Sequence, residues 1–246
     1  MNLPSGPLQW GHSSYSYFHN VYRGLDSVFL CASSDCMPVP WEWLRPAQRG
    51  TGESLPMLSE IASIVRSSSS IAHTTWKVSN FDNPRSSSSL FTIGLDDDAA
   101  DQSNRRSISS KDELFEVAEE ADVVHLMGHL KRENRSLEVR TRDGGKIGFT
   151  IDNFRGRSLC RSNQTVVLSS CGVAADHSEL NFGATISSTC DTDVFCPFLT
   201  IDDEFAEKFD RVLLTAIHKK PQPVADLLKE IHEELPVVAS YVRFGA

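Results

Sequence analysis

Three short apolar runs most narrow the folds open to this chain: Asp122–Met127 (DVVHLM), Thr165–Ser170 (TVVLSS) and Val194–Leu199 (VFCPFL). Each has the length of a strand rather than of a buried helix. Helical patterns stand between and after them. Lys111–Ala121 has helix-forming composition, and Asp152–Cys160 reads as a connecting helix. Phe205–Ile217 and Val224–Leu235 are the clearest amphipathic stretches, and Asp202, Asp203 and Glu204 supply negative charge where the first of them begins. Strands alternating with helices predict an α/β fold, a mostly parallel β-sheet flanked by helices on both faces.

Further strands are expected at Val28–Cys31, Ile61–Arg66, Leu90–Leu95 and Val237–Phe244. Residues 137–141 and 146–150 flank Arg142, Asp143, Gly144 and Gly145, a strong hairpin signal. Residues 96–98 and 104–107 read as solvated loop, and Arg85, Arg105 and Arg106 sit in Ser-rich stretches open to proteolytic nicking.

Composition removes several classes of function. Lys and Arg number 24 against 33 Asp and Glu, a net charge of −9, which argues against a nucleic-acid surface. No run approaches the roughly 18–20 apolar residues of a membrane span. Met1–Trp10 lacks the basic-then-apolar build of a secretory signal, so a cytoplasmic location is expected. Cys31, Cys36, Cys160, Cys171, Cys190 and Cys196 are irregularly spaced, and reduced thiols are the expectation. They lack strong zinc-ligand spacing, and no phosphate-binding loop is present, so no metal or cofactor is expected.

In a parallel sheet, reactive groups collect at the carboxyl ends of strands. Two expected strand ends carry such groups: His125 to His129, and Ser169 to Gly172. A thiol attacks a carbonyl once a neighbouring imidazole takes its proton. Gly172 would let a substrate backbone come close, the N–H of Cys171 would face a developing oxyanion, and His129 would protonate the leaving amine. A cysteine or histidine after a buried strand is also common as inert core, and spacing alone leaves both readings open.

The wording of the motifs adds a resemblance. Ala121–His129 (ADVVHLMGH) and Thr165–Gly172 (TVVLSSCG) resemble the two strands that carry the histidine and the nucleophile of CHAT domains, relatives of caspases and separase. Val39–Glu42 (VPWE), Val194–Glu204 (VFCPFLTIDDE) and the closing Tyr241–Gly245 (YVRFG) are similar to further elements of that family, in the same order. The resemblance implies a caspase-like peptidase domain over residues 28–246, with an N-terminal subdomain at 28–110 and a catalytic core at 111–246, after an irregular segment at 1–27. It implies His129 as catalytic histidine and Cys171 as nucleophile, with His125 in support. The family glycine after the histidine often lends its N–H to the oxyanion hole, which here implicates Leu130 together with the N–H groups of Cys171 and Gly172. Leu199 and Ser170 replace a family tryptophan and alanine.

Asp193, Asp202 and Asp203 lie where the family builds its substrate cleft, and an acidic pocket would select Arg or Lys. Asp202 and Asp203 also suit a plain helix cap. The expected function is a cysteine endopeptidase acting on a polypeptide substrate, without nucleic acid or membrane. The family implies activation by an upstream regulatory protein or by processing at the arginine-bearing loops, in bacterial antiphage or CRISPR-linked signalling. The alternatives are a catalytically latent interaction domain of the same fold and, further off, a small-molecule amidase or transferase.

Overall fold

The computed structural model describes residues 27–31, 63–67, 89–94, 104–155, 157, 159, 164–171, 173, 181–190, 192–220, 222–235, 238 and 240–245. The expectations for residues 1–26, Val39–Glu42, Arg85, Cys160 and Gly172 lie outside them.

Eight strands form the main sheet. They are β1 (Ser27–Cys31), β2 (Ser63–Ser67), β3 (Leu90–Ile93), β4 (Arg105–Arg106), β5 (Val123–Met127), β9 (Thr165–Ser169), β10 (Asp193–Pro197) and β11 (Tyr241–Phe244). The order across the sheet is β1-β2-β11-β10-β9-β5-β3-β4, and only the β10–β11 pairing is antiparallel. The sheet therefore takes strands from both sides of residue 110. A second sheet of three antiparallel strands, β6 (His129–Lys131), β7 (Ser136–Arg140) and β8 (Lys146–Thr150), grows directly from the end of β5. The described helices are α1 (Lys111–Ala118), α2 (Ile151–Arg155), α3 (Phe182–Cys190), α4 (Asp203–Lys219) and α5 (Val224–Glu234). None is long and apolar enough to cross a membrane.

The central strands are covered on both sides, which is why their sequences read as unbroken apolar runs. All five residues of β5 are buried. Val124 and Leu126 enter one core with Val166, Leu168, Val194 and Cys196, beneath α1, α2, α3 and the small sheet. Val123 and Met127 enter the other with Val167, Phe195 and Tyr241, beneath α4 and α5. The period-two alternation of a strand thus feeds two cores at once.

Local chemistry sets the helix starts. Ser110 caps α1, its hydroxyl accepting from the Glu113 N–H at 3.1 Å, while the Glu113 carboxylate accepts from the Ser109 N–H at 2.7 Å. This reciprocal exchange is a capping box shifted by one residue. Asp202 caps α4 by accepting from the Phe205 N–H at 2.7 Å.

Two expectations change, and one helix is new. Residues 104–107 are not a solvated loop: Arg105 and Arg106 pair with β3 as an edge strand, Asn104 is buried, and the Arg106 guanidinium lies 3.9 Å from the Phe91 ring centroid. The ring face attracts the cation, and the aliphatic stem covers apolar surface. Of the helix expected over 152–160, the described helical part is the short α2 (Ile151–Arg155). Helix α3 was not anticipated, because its sequence FGATISSTC is small and weakly patterned; it lies buried for most of its length.

Gly94 ends β3 with φ +97°, and a Cβ there would collide with the Met127 carbonyl. Gly94→Ala is expected to lower stability by about 2 kcal/mol or more, combining left-handed strain with the clash. Chemical denaturation of the variant checks this.

Candidate active site

The strand ends converge as a parallel sheet requires. Gly94 follows β3, Met127 and Gly128 close β5, and Ser169, Ser170 and Cys171 close β9; all line one cleft of about 700 Å³, counting the part open to solvent. Ile201, Asp202, Asp203, Ala206 and Glu207 add a wall from the start of α4. Glu138, Arg140 and Lys146 add another from the small sheet.

His129 enters this cleft because the chain changes sheets at Gly128. The Gly128 N–H still donates to the Ser169 carbonyl of the main sheet at 3.2 Å. One residue later His129 pairs with Glu138 in the small sheet. A side chain at 128 would bring a Cβ within 2.7 Å of the Glu138 carbonyl oxygen, so glycine permits the crossing. The imidazole is 44% exposed, with Nε2 3.8 Å from the Asp203 carboxylate. At that distance, and with Asp203 itself 74% exposed, the attraction is weak and screened.

Cys171 is a free, half-buried thiol that packs against the core beneath α4. Its S–H donates to the Ile201 carbonyl at 3.0 Å. A carbonyl oxygen only accepts, so the protonated thiol makes this contact and a thiolate would not.

The other sequence-derived candidates divide. Asp202 and Asp203 line the cleft, and Asp202 also caps α4. Asp193 stands elsewhere. It opens β10 opposite Thr165, at the amino end of the strands, and is bonded twice by Arg243 at 3.0 and 2.6 Å. Its carboxylate braces β10 against β11 and is not part of the cleft lining. Leu130 sits within β6 opposite Leu137, packed against the core, and is not among the cleft-lining residues.

Beneath the cleft floor runs a buried polar chain. Thr92 Oγ1 donates to Asp210 Oδ1 at 2.5 Å, and His125 Nδ1 meets the same oxygen at 2.8 Å. His125 Nε2 lies 2.7 Å from Ser169 Oγ, which lies 2.6 Å from the Tyr241 hydroxyl. Thr92, His125 and Asp210 are at most 1% exposed. Burial pushes the Asp210 carboxyl up, but the His125 and Thr92 bonds and the charge of Arg105 outweigh it and hold it below the usual aspartate range. Burial drives the Tyr241 phenol well above its ordinary value, more than the hydrogen bond it shares with Ser169 offsets. The sequence offered one hint of this chain, since His125 and Asp210 interrupt an apolar strand and an apolar helical stripe.

Among the described residues, no group of three His, Cys, Asp or Glu side chains is arranged to hold a metal. No model of a known protein family matches the chain, and no curated protein matches it.

Asp210 titrates lower in the folded protein than when unfolded, where an aspartate sits at about 3.9. Its contribution to stability is therefore present above that value and is lost as pH falls through the lower native one. Asp210→Asn is expected to cost about 2 kcal/mol or more near neutrality, from lost charge-assisted hydrogen bonds. The deficit should shrink toward about pH 3. Thermal melts of both proteins across that range check the sign.

Proposed function

We propose that this chain is a caspase-like cysteine endopeptidase of the CHAT type, with Cys171 as nucleophile and His129 as its proton-transfer partner. One observation carries the reading: His129 and Cys171 line the same cleft, just past the carboxyl ends of the adjacent parallel strands β5 and β9. The resemblance of both strand motifs to that family points the same way.

The chemistry begins with the thiol leaving the Ile201 carbonyl and passing its proton to His129. The Cys171 sulfur then bonds to the scissile carbonyl carbon, and that oxygen takes the negative charge. As the carbon–nitrogen bond breaks, His129 returns the proton to the departing amine. A water molecule, deprotonated by His129, hydrolyses the thioester and restores the thiol.

The resting contact between Cys171 and Ile201 favours a second reading, a latent domain that needs a partner or a cleavage to release the thiol. An upstream activator, and a place in defence signalling, belong to the proposal on that basis and on the resemblance. The cleft is edged by Asp202, Asp203 and Glu207 on the α4 wall, and by Arg140 and Lys146 on the small-sheet wall. A polypeptide presenting a basic residue to the α4 wall suits that distribution.

Wild-type protein is expected to cut an unstructured polypeptide, whereas Cys171→Ala and His129→Ala lose at least about a hundredfold in rate. A mass-spectrometric profile on a peptide library reads both cleavage and the preferred residue. Undiminished cutting by Cys171→Ala would end the peptidase reading. Asp203→Lys is expected to lower kcat/KM for basic substrates by less than about fivefold, since an exposed charge contributes under about 1 kcal/mol.

A further inference from the structure

The proposed chemistry makes no use of the buried chain running from Asp210 through His125 and Ser169 to Tyr241. Its place in the fold is informative. Thr92 stands on β3, His125 on β5, Ser169 on β9 and Tyr241 on β11, all turned toward the face that α4 covers. Asp210 comes from α4 itself, the helix whose first turns wall the cleft with Asp203, Ala206 and Glu207. Ser169 is two residues before Cys171. Within the chain Ser169 thus holds the strand that presents the thiol, and at one end Asp210 holds the helix that faces it.

We infer that Thr92, His125, Ser169, Asp210 and Tyr241 form a positioning array that fixes the Cys171 turn relative to α4, an inference that rests on the thiol reading of the cleft. The apolar neighbours cannot do this alone. Phe209, Leu213, Met127 and Val167 bring helix and sheet together, but apolar attraction has no direction and tolerates sliding. Hydrogen bonds of 2.5–2.8 Å between buried groups hold only in one register.

The hydrogens can be counted. With the Tyr241 O–H donated to Ser169, the Ser169 O–H to His125 Nε2, and the His125 N–H to Asp210, each of these hydrogens finds an acceptor. Thr92 completes the set at the same carboxylate oxygen. Asp210 Oδ2, by contrast, is buried without a hydrogen-bond partner. A carboxylate left half-satisfied is a poor device for stability alone, and well-packed apolar residues would serve that end as well. Placement is what the polar chain adds.

The test uses the 246-residue chain. Tyr241→Phe, Ser169→Ala and Thr92→Val each remove a hydroxyl, Thr92→Ser retains one, and Leu213→Val trims the same buried face outside the array. Folding is checked by circular dichroism, and all variants are compared well below their melting temperatures. The readouts are the rate of Cys171 alkylation by iodoacetamide, resolved from the other cysteines by peptide mass spectrometry, and kcat and KM on a cleaved peptide. Removal of a hydroxyl is expected to change the alkylation rate at least about threefold and to lower kcat about tenfold with KM within about twofold. Thr92→Ser and Leu213→Val should stay near wild type. A smaller change in alkylation for the folded hydroxyl-deletion variants, or an equal change in Leu213→Val, would overturn the array. The alkylation arm needs no peptidase activity, so a failure of the peptidase reading shows separately, as cleavage that survives Cys171→Ala.

Discussion

Burial of the central strands on both faces is the constraint from which the rest of this structure follows. A strand covered on two sides leaves only its ends free, and in a parallel arrangement the carboxyl ends of neighbours fall on one rim. β3, β5 and β9 obey this, and their terminal residues supply the floor of the cleft. The antiparallel β11 runs against that direction beside β10, and the Asp193–Arg243 pair braces the two at the opposite end of the sheet. Carboxylates that look alike in sequence, Asp193 and Asp203, are thereby separated into a brace and a cleft wall.

The small three-stranded sheet is the second decisive feature. It begins at the residue after Gly128, so the end of β5 becomes a branch point rather than a loop. His129 is held by backbone pairing to Glu138, which confines the imidazole more tightly than a free loop would. The same pairing commits Leu130 to a ladder facing Leu137 and packs its side chain on the core. The thiol is differently restrained, through a side-chain contact to the Ile201 carbonyl. The imidazole is thus held through its backbone and the thiol through its side chain.

Buried polarity sits where placement matters. The polar chain beneath the cleft is surrounded by aromatic rings, with Phe209 edge-on to His125 and tilted against Tyr241 at 5.5 and 5.0 Å between centroids. Such surroundings exclude water, strengthen each hydrogen bond and raise the cost of breaking one. Glycine does the complementary work at Gly94 and Gly128, where main-chain carbonyls come too close for any side chain.

Much of the architecture was legible in the chain itself. The apolar runs marked β5, β9 and β10 because strands buried on both faces need unbroken apolar sequence, and the Asp-Gly-Gly signal marked the β7–β8 hairpin because its turn needs a positive φ at Gly144. The amphipathic stripes marked α4 and α5, and the Asp202 cap of α4 followed from local hydrogen bonding. Helix α3 escaped notice because a helix buried by its neighbours needs no stripe, and Arg105–Arg106 read as loop because an edge strand of two residues has no period. Only the tertiary structure brought His129 and Cys171 to one cleft, removed Asp193 from it, and joined His125 to Asp210, 85 residues away. Periodicity records which face of an element is dry; it does not record which distant element lies against that face, and the site is made of such meetings.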